Sequence, residues 1–257
     1  MNKLKKQYRL GMHLGTEKES DYVLQLAKIL EESSLSDFEK AAHFSLFASR
    51  QSIASFLFKY ELFKRILNVQ GSIIECGVAY GSGLMSFAHF STIFEPVNHT
   101  RKIIGFDTFS GFPDVTNKDK QKGGDPHAKS GGMSVSSYEE IQKCIKAFDQ
   151  NRFVGHIEKV QLIKGDLTVT APQYLKENPH LVVALLYLDL DIYKPTRVAL
   201  ETFLSRMPKG AIIAFDELNH PDWPGETLAV AEAIGLSNLR IERFPFDSIR
   251  SFAIIGG

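Results

Sequence analysis

The sequence predicts an α/β fold with a mostly parallel sheet, helices on both of its faces and a helical N-terminal extension. Two observations carry this expectation. After Gly71, short and nearly continuous apolar runs alternate with segments of helical spacing, the rhythm of strand–helix–strand units whose sheet is covered on both sides. Before it, from Ser20 to Leu67, no glycine or proline interrupts apolar residues spaced for helices. A length of 257 residues suits one large domain of this class with an extension, here divided as 1–70 and 71–257.

In the extension, Val23, Leu26, Ala27 and Leu30 form one stripe, and Phe44, Phe47 and Ala48 another. Phe56, Leu57, Phe63 and Leu67 form a third. Two or three helices are expected, with the phenylalanines as core packing. The expected strands are Ser72–Cys76, Lys102–Phe106, Val160–Lys164, Leu181–Leu188 and Ala211–Phe215. Helices are expected between them at Gly83–Phe94, Tyr138–Asn151, Ala171–Glu177, Thr196–Met207 and Thr227–Ile234, the second opened by a capping box at Ser137–Glu140. Leu239–Phe244 and Ser251–Ile255 suit a terminal antiparallel pair. Between Ser110 and Ser136 the chain has no periodicity, and its place after a strand end suggests a mobile lid.

Composition excludes several classes of partner. Thirty basic and thirty acidic side chains balance, so no global field attracts nucleic acid or an anionic membrane. The N-terminus is basic but carries no apolar signal core, and no apolar run is long enough to span a bilayer. Two cysteines, Cys76 and Cys144, lie far apart, which suits a reducing, cytoplasmic setting.

Three constellations carry chemistry. Glu75-Cys-Gly-Val-Ala-Tyr-Gly-Ser-Gly83 joins a strand to a helix. Its glycines permit a tight turn and close approach to backbone amides, but the spacing is not that of a dinucleotide fingerprint. An acid at that strand end suits a cationic ligand, and S-adenosylmethionine carries an ammonium and a sulfonium. Next, Asp107 in Gly105-Phe-Asp-Thr-Phe109 ends the following strand, placed to accept hydrogen bonds from ribose hydroxyls. Asp166 in Lys164-Gly-Asp ends the third and is assigned to the exocyclic amine of adenine. Last, Asp189-Leu-Asp191 and Asp216-Glu217 end two further apolar runs. In a parallel sheet both open on one crevice. Two carboxylates about 4 Å apart repel by roughly 4 kcal/mol at an effective dielectric near 20, so such a cluster calls for a cation, a proton or separation. Oxygen ligands of this kind suit Mg²⁺. Asp189 and Asp191 face alike if the strand continues through them.

Together, IIECGVAYGSG, GFDTFSGFPD, LYLDLDIYKPT and GAIIAFDELNHPDWPG resemble the macrocin O-methyltransferase family over roughly Gly71 to Ile234. Those enzymes methylate sugar hydroxyls in antibiotic biosynthesis, and relatives act on nucleotide-linked deoxysugars. The resemblance implies a Rossmann-like methyltransferase fold and a Mg²⁺-assisted transfer from S-adenosylmethionine to a sugar or sugar-nucleotide hydroxyl. It implies Asp189 as a metal ligand, Asp191 as general base, and Asp216 with Glu217 as the acid pair completing the metal site. Leu190 stands where a glycine is frequent in the family, and Glu217 where a second aspartate is frequent. The expected cofactor residues are Glu75, Gly77, Tyr80, Gly81, Ser82, Asp107, Thr108, Phe109, Asp166 and Asp189. His220 is a candidate to assist catalysis or bind substrate, and Trp223 either stacks on a sugar or packs on the next helix. A homo-oligomer through the N-terminal helices is left open. Two rival readings are a glycosyltransferase using Asp189-Leu-Asp191 to bind metal and nucleotide, and a non-catalytic S-adenosylmethionine-binding protein.

Overall fold

The computed structural model describes residues 16–120 and 124–257. The basic N-terminal segment and three residues of the 110–136 loop lie outside the described residues. The chain divides into two compact units, Met1–Ser55 and Phe56–Gly257. The sequence division at 70/71 marks where the strand pattern begins, which is downstream of this boundary.

The first unit holds α1 (Glu17–Glu32), α2 (Asp37–Ala42) and α3 (Phe44–Phe47), and the start of α4 (Arg50–Ile66). Capping boxes open α1 at Thr16 and Glu19, and α2 at Ser36 and Glu39. The serine cap explains how a new helix starts here without glycine or proline: its hydroxyl accepts the N–H of Glu39, a first-turn donor that α2 cannot satisfy itself.

The second unit is built on a seven-stranded sheet. Its strands are β1 (Ser72–Cys76), β2 (Ile103–Asp107), β3 (Val160–Lys164), β4 (Val183–Leu188), β5 (Ile212–Phe215), β6 (Ile241–Glu242) and β7 (Ser251–Ile254). They lie in the order β3-β2-β1-β4-β5-β7-β6, and only β7 runs against its neighbours. The terminal antiparallel pair expected from sequence is present. Intervening helices are α5 (Ser82–Phe94), α6 (Tyr138–Gln150), α7 (Leu167–Glu177), α8 (Tyr193–Phe203) and α9 (Pro224–Ala233).

The last three helices begin earlier than the periodicity suggested. Asp166 caps α7, its Oδ1 accepting from Thr168 N at 2.9 Å. Pro195 and Pro224 lie in the first turns of α8 and α9, where a missing N–H costs nothing. The expected capping box at Ser137 does not form. Helix α6 still starts there, but the Ser137 hydroxyl donates instead to the carbonyl of Ala79 at 2.5 Å.

Alternate residues of each central strand feed two cores. Ile73, Leu185, Tyr187 and Ile212 face one side with Phe58, Leu62, Phe63 and Ile66 of α4 and Phe87 of α5. Ile74, Leu186, Leu188 and Ile213 face the other with Leu200 and Phe203 of α8. Each such buried side chain contributes roughly 1.5–3 kcal/mol of transfer free energy. The strands are thereby held rigid up to their carboxyl ends.

Candidate active site

The order of strands reverses between β1 and β4, opening a crevice at their carboxyl ends. Backbone strain gathers there. Ala79, Phe109, Asp191 and Asn219 all have positive φ (46°, 55°, 61° and 68°), and each follows one of β1, β2, β4 and β5. Such conformations cost of order 1–3 kcal/mol each for residues with a side chain and persist where the surroundings enforce them, typically at functional sites.

On the β1–β2 side, Asp107 organises the glycine-rich turn. Its Oδ2 accepts from Val78 N and Ala79 N, both at 2.8 Å, and its Oδ1 accepts from Phe109 N at 2.6 Å. Gly77 has φ +93°, and a Cβ there would lie 1.8 Å from the carbonyl oxygen of Asp189. The glycine is therefore required by the β4 backbone as well as by any ligand. Gly81, left-handed at φ +82°, precedes α5 as its cap. Tyr80 and Ser82 face solvent. Thr108 closes a local turn by donating to Gly111 O at 2.7 Å, and Phe109 packs edge-on against Tyr138 with centroids 5.2 Å apart. Asp166 is committed in part to its helix cap.

Glu75 lies beneath this turn, only 2% exposed, with Oε2 buried and unpartnered. Burial pushes its carboxyl up to about 8, opposed by the nearby Lys59 ammonium. Lys59 reaches in from α4, with its Nζ 4.9 Å from the centre of the Tyr187 ring. An uncompensated buried carboxylate oxygen beside a glycine turn suits a ligand that brings positive charge.

On the β4–β5 side the acids do meet. Burial first, and then repulsion from Asp216, raises Asp191 to about 7 and holds Asp189 well above the ordinary carboxylate range. Glu217 is raised to about 10, by burial and then by the charges of Asp191 and Asp216. Strand β4 ends at Leu188, and the left-handed backbone of Asp191 breaks the alternation, so the two-residue period does not orient Asp189 and Asp191.

Three partners of this cluster escaped sequence reasoning. Arg250 Nε donates to Asp216 Oδ1 at 2.6 Å, and the Tyr187 hydroxyl donates to the same oxygen at 3.0 Å. Antiparallel pairing of Phe215 with Ser251 is what brings Arg250 opposite Asp216. Glu226, fully buried in the first turn of α9, accepts from Glu217 N at 3.2 Å. An acid in a first helical turn just after an acid pair was the available signal.

His220 is half-buried, and its Nδ1 accepts from Asp222 N at 3.3 Å. With Nδ1 accepting, the other ring nitrogen is the one left to donate. Trp223 is 2% exposed and lies 5.7 Å from the Phe112 ring, so packing takes it rather than a sugar face. The 110–136 loop is not free along its length: Thr116, Asn117, Lys118 and Asp119 form a short capped turn, and Lys118 pairs with Glu232 of α9 at 2.6 Å. Polar anchoring adds here to the apolar contacts of Phe112 with Trp223 and of the buried Val135.

The chemistry of the acids fits a hard divalent cation, since all donors are carboxylate oxygens and Glu217 Oε2 is buried without a partner. Among the described residues, no three His, Cys, Asp or Glu side chains converge on a single point as they stand.

Residues 62–232 match the family described as macrocin O-methyltransferase (TylF). CalS11, a calicheamicin methyltransferase, is similar at 34% identity and a TM-score of 0.91, covering 96% of each chain. An apo structure of CalS11, described as a TDP-rhamnose 3′-O-methyltransferase, is similar at 32% identity and a TM-score of 0.82, over 96% of this chain and 98% of that one. The O-methyltransferase NovP shares the fold at 20% identity and a TM-score of 0.60, over 79% of this chain and 80% of that one. A search of curated proteins returned no match.

Proposed function

Because this chain belongs to the macrocin O-methyltransferase family, we propose that it transfers a methyl group from S-adenosylmethionine to a hydroxyl of a nucleotide-linked deoxysugar. One observation carries the reading. The glycine-rich turn after β1 and the acid cluster after β4 and β5 are not merely near one another but interlocked, through Gly77 against Asp189. The similarity to CalS11 supports the sugar-nucleotide class of acceptor. Membership of a methyltransferase family leaves the glycosyltransferase reading without support, and nothing favours a binding protein that has lost catalysis.

S-adenosylmethionine supplies the methyl on a sulfonium that needs no further activation. We assign its binding to the β1–β2 side, with Gly77 and Gly81 admitting it to the backbone. Glu75, whose carboxyl burial pushes up to about 8, would ionise beside a cationic ligand, and Asp107 turns a carboxylate already fixed by three amides toward the ribose. The acceptor hydroxyl is a poor nucleophile until its proton leaves, and Asp191 is the residue we assign to take it. His220 is better suited to donate a hydrogen bond to the acceptor than to act as base. A divalent cation held by Asp189, Asp216 and Glu217 would, when bound, lower the cost of deprotonating that hydroxyl. The remaining task of these residues is to hold donor and acceptor in line and exclude water.

The direct test is methyl transfer from S-adenosylmethionine to a panel of TDP-deoxysugars, with product mass as the readout. A single mass increment of one methyl on one or more of them is expected, and no transfer to any sugar nucleotide would overturn the acceptor class. Exhaustive chelation is expected to abolish turnover while leaving cofactor affinity within about twofold. Full turnover with no metal by elemental analysis would remove the cation. For the cofactor half, Asp107→Ala is expected to weaken S-adenosylmethionine binding by about tenfold or more in calorimetry. Part of that loss would come from the three loop amides it leaves unpaired, so Asp107→Asn should lie between. Unchanged affinity in a folded variant would exclude Asp107.

We assign residues 71–257 to the catalytic domain, to which α4 adds its buried face. Helices α1 to α3 bury none of their side chains, which supports self-association through them. Among the described residues no helix is long and apolar enough to cross a membrane. Both cysteines are free thiols, consistent with a cytoplasmic setting.

A further inference from the structure

The residue just after Asp191 is Ile192, the cap position of α8, and its side chain has nothing with which to satisfy the first N–H groups of that helix. The partner comes from another part of the chain. Asp119, in the loop after β2, is 1% exposed, and its Oδ1 accepts from Tyr193 N at 2.5 Å. Its Oδ2 accepts from both the amide and the hydroxyl of Thr116 at 2.7 Å, which fixes the carboxylate's orientation. The same Oδ1 abuts the start of α9: a Cβ on Gly225 would lie 2.3 Å from it and 2.6 Å from Tyr193 N. Position 225 must therefore be glycine for the three segments to meet.

The neighbours of these contacts are the acids. Tyr193 lies two residues after Asp191, and Gly225 lies one before Glu226, which holds the amide of Glu217. Around the carboxylate, Lys118 Nζ stands 3.9 Å over the Tyr193 ring, and the Tyr193 hydroxyl donates to Glu232 Oε2 at 2.6 Å. The turn carrying Asp189 and Asp191 and the helix start behind Glu217 thus share one buried support, supplied by neither.

We propose that Asp119 is a positioning residue for the acid cluster: its carboxylate fixes the Asp191 turn, with its left-handed backbone, and the α9 start in one relative geometry. The inference rests on the reading of that cluster as the methyl-acceptor side of the site. One of its measurements does not depend on that reading.

The experiment compares Asp119→Ala and Asp119→Asn by hydrogen exchange with mass spectrometry, thermal unfolding and steady-state kinetics. In Asp119→Ala, exchange should rise about tenfold or more in peptides covering 189–196 and 216–228, with 71–82 unchanged. The value of kcat should fall at least about tenfold while KM for S-adenosylmethionine stays constant, as expected for misplaced catalytic groups beside an intact cofactor pocket. Asp119→Asn keeps an oxygen for the Tyr193 amide and should restore most of both. Wild-type exchange at 189–196, or a kcat loss matched by loss of cofactor binding and not rescued by asparagine, would overturn the proposal. If the wild-type enzyme methylates no sugar nucleotide, the functional reading fails instead, and the exchange pattern alone decides Asp119. If Asp119→Ala does not fold, Asp119→Ser replaces it, its hydroxyl being too short to hold the Tyr193 amide: a selective rise in exchange at the two acid-bearing segments would support the proposal, and wild-type exchange there would overturn it.

Discussion

Alanine at position 77 is expected to destabilise the protein by about 3–5 kcal/mol and to abolish both cofactor binding and turnover. Two costs add. The backbone of Gly77 sits at φ +93°, where a side chain is strained, and the new Cβ would fall 1.8 Å from the Asp189 carbonyl oxygen. That oxygen belongs to backbone held in register, since Asp189 N donates to Cys76 O at 2.8 Å and Gly77 N to Phe106 O at 2.9 Å. Neither β1 nor β4 can yield without unpairing the middle of the sheet, which is the most buried part of the molecule. Relief would have to come from displacing Asp189, so damage should reach the acid cluster as well as the glycine turn. Thermal unfolding and calorimetry with S-adenosylmethionine check this, and a variant with a near-normal melting temperature and intact affinity would refute it.

For Asp191→Asn the expected loss is in rate alone, about 10²- to 10⁴-fold in kcat, with folding and cofactor affinity retained. The amide preserves the shape of the side chain but cannot accept the proton of an acceptor hydroxyl. Asparagine also tolerates the left-handed backbone that position 191 requires, so the substitution adds little strain. Single-turnover methyl transfer isolates the chemical step, and binding of Mn²⁺ to the variant reports whether the other acids still act. A rate within threefold of wild type would move the base elsewhere in the cluster, with Glu217 the next to be replaced. A variant that instead loses cation binding would make Asp191 a ligand rather than a base.

The division between legible and hidden features follows the range of the interactions. Five parallel strands, the glycine turn, Asp107 at the end of β2 and the acids after β4 and β5 were all readable. Each is specified by residues adjacent in the chain: apolar runs that must be buried on both faces, and polar residues where those runs stop. Where a local rule had a competitor, the reading slipped. Ser137 had the spacing of a capping box, but a carbonyl on the glycine turn offered its hydroxyl a partner outside the helix. Helices α8 and α9 start before the expected Thr196 and Thr227, because Pro195 and Pro224 fall in first turns that the apolar periodicity does not mark.

By itself, then, the sequence determined the class of fold, the order of its central elements and the chain segments to which we assign the chemistry. Only tertiary structure decided what those segments touch. Arg250 meets Asp216 because β7 returns antiparallel to β5, Lys59 enters beneath Glu75 from α4, and Asp119 reaches Tyr193 across 74 positions of chain. These are contacts between residues far apart in sequence, made in buried or half-buried surroundings at the carboxyl ends of the central strands. There, burial sets the strength of every charge–charge interaction, and no local pattern encodes which partner will be opposite.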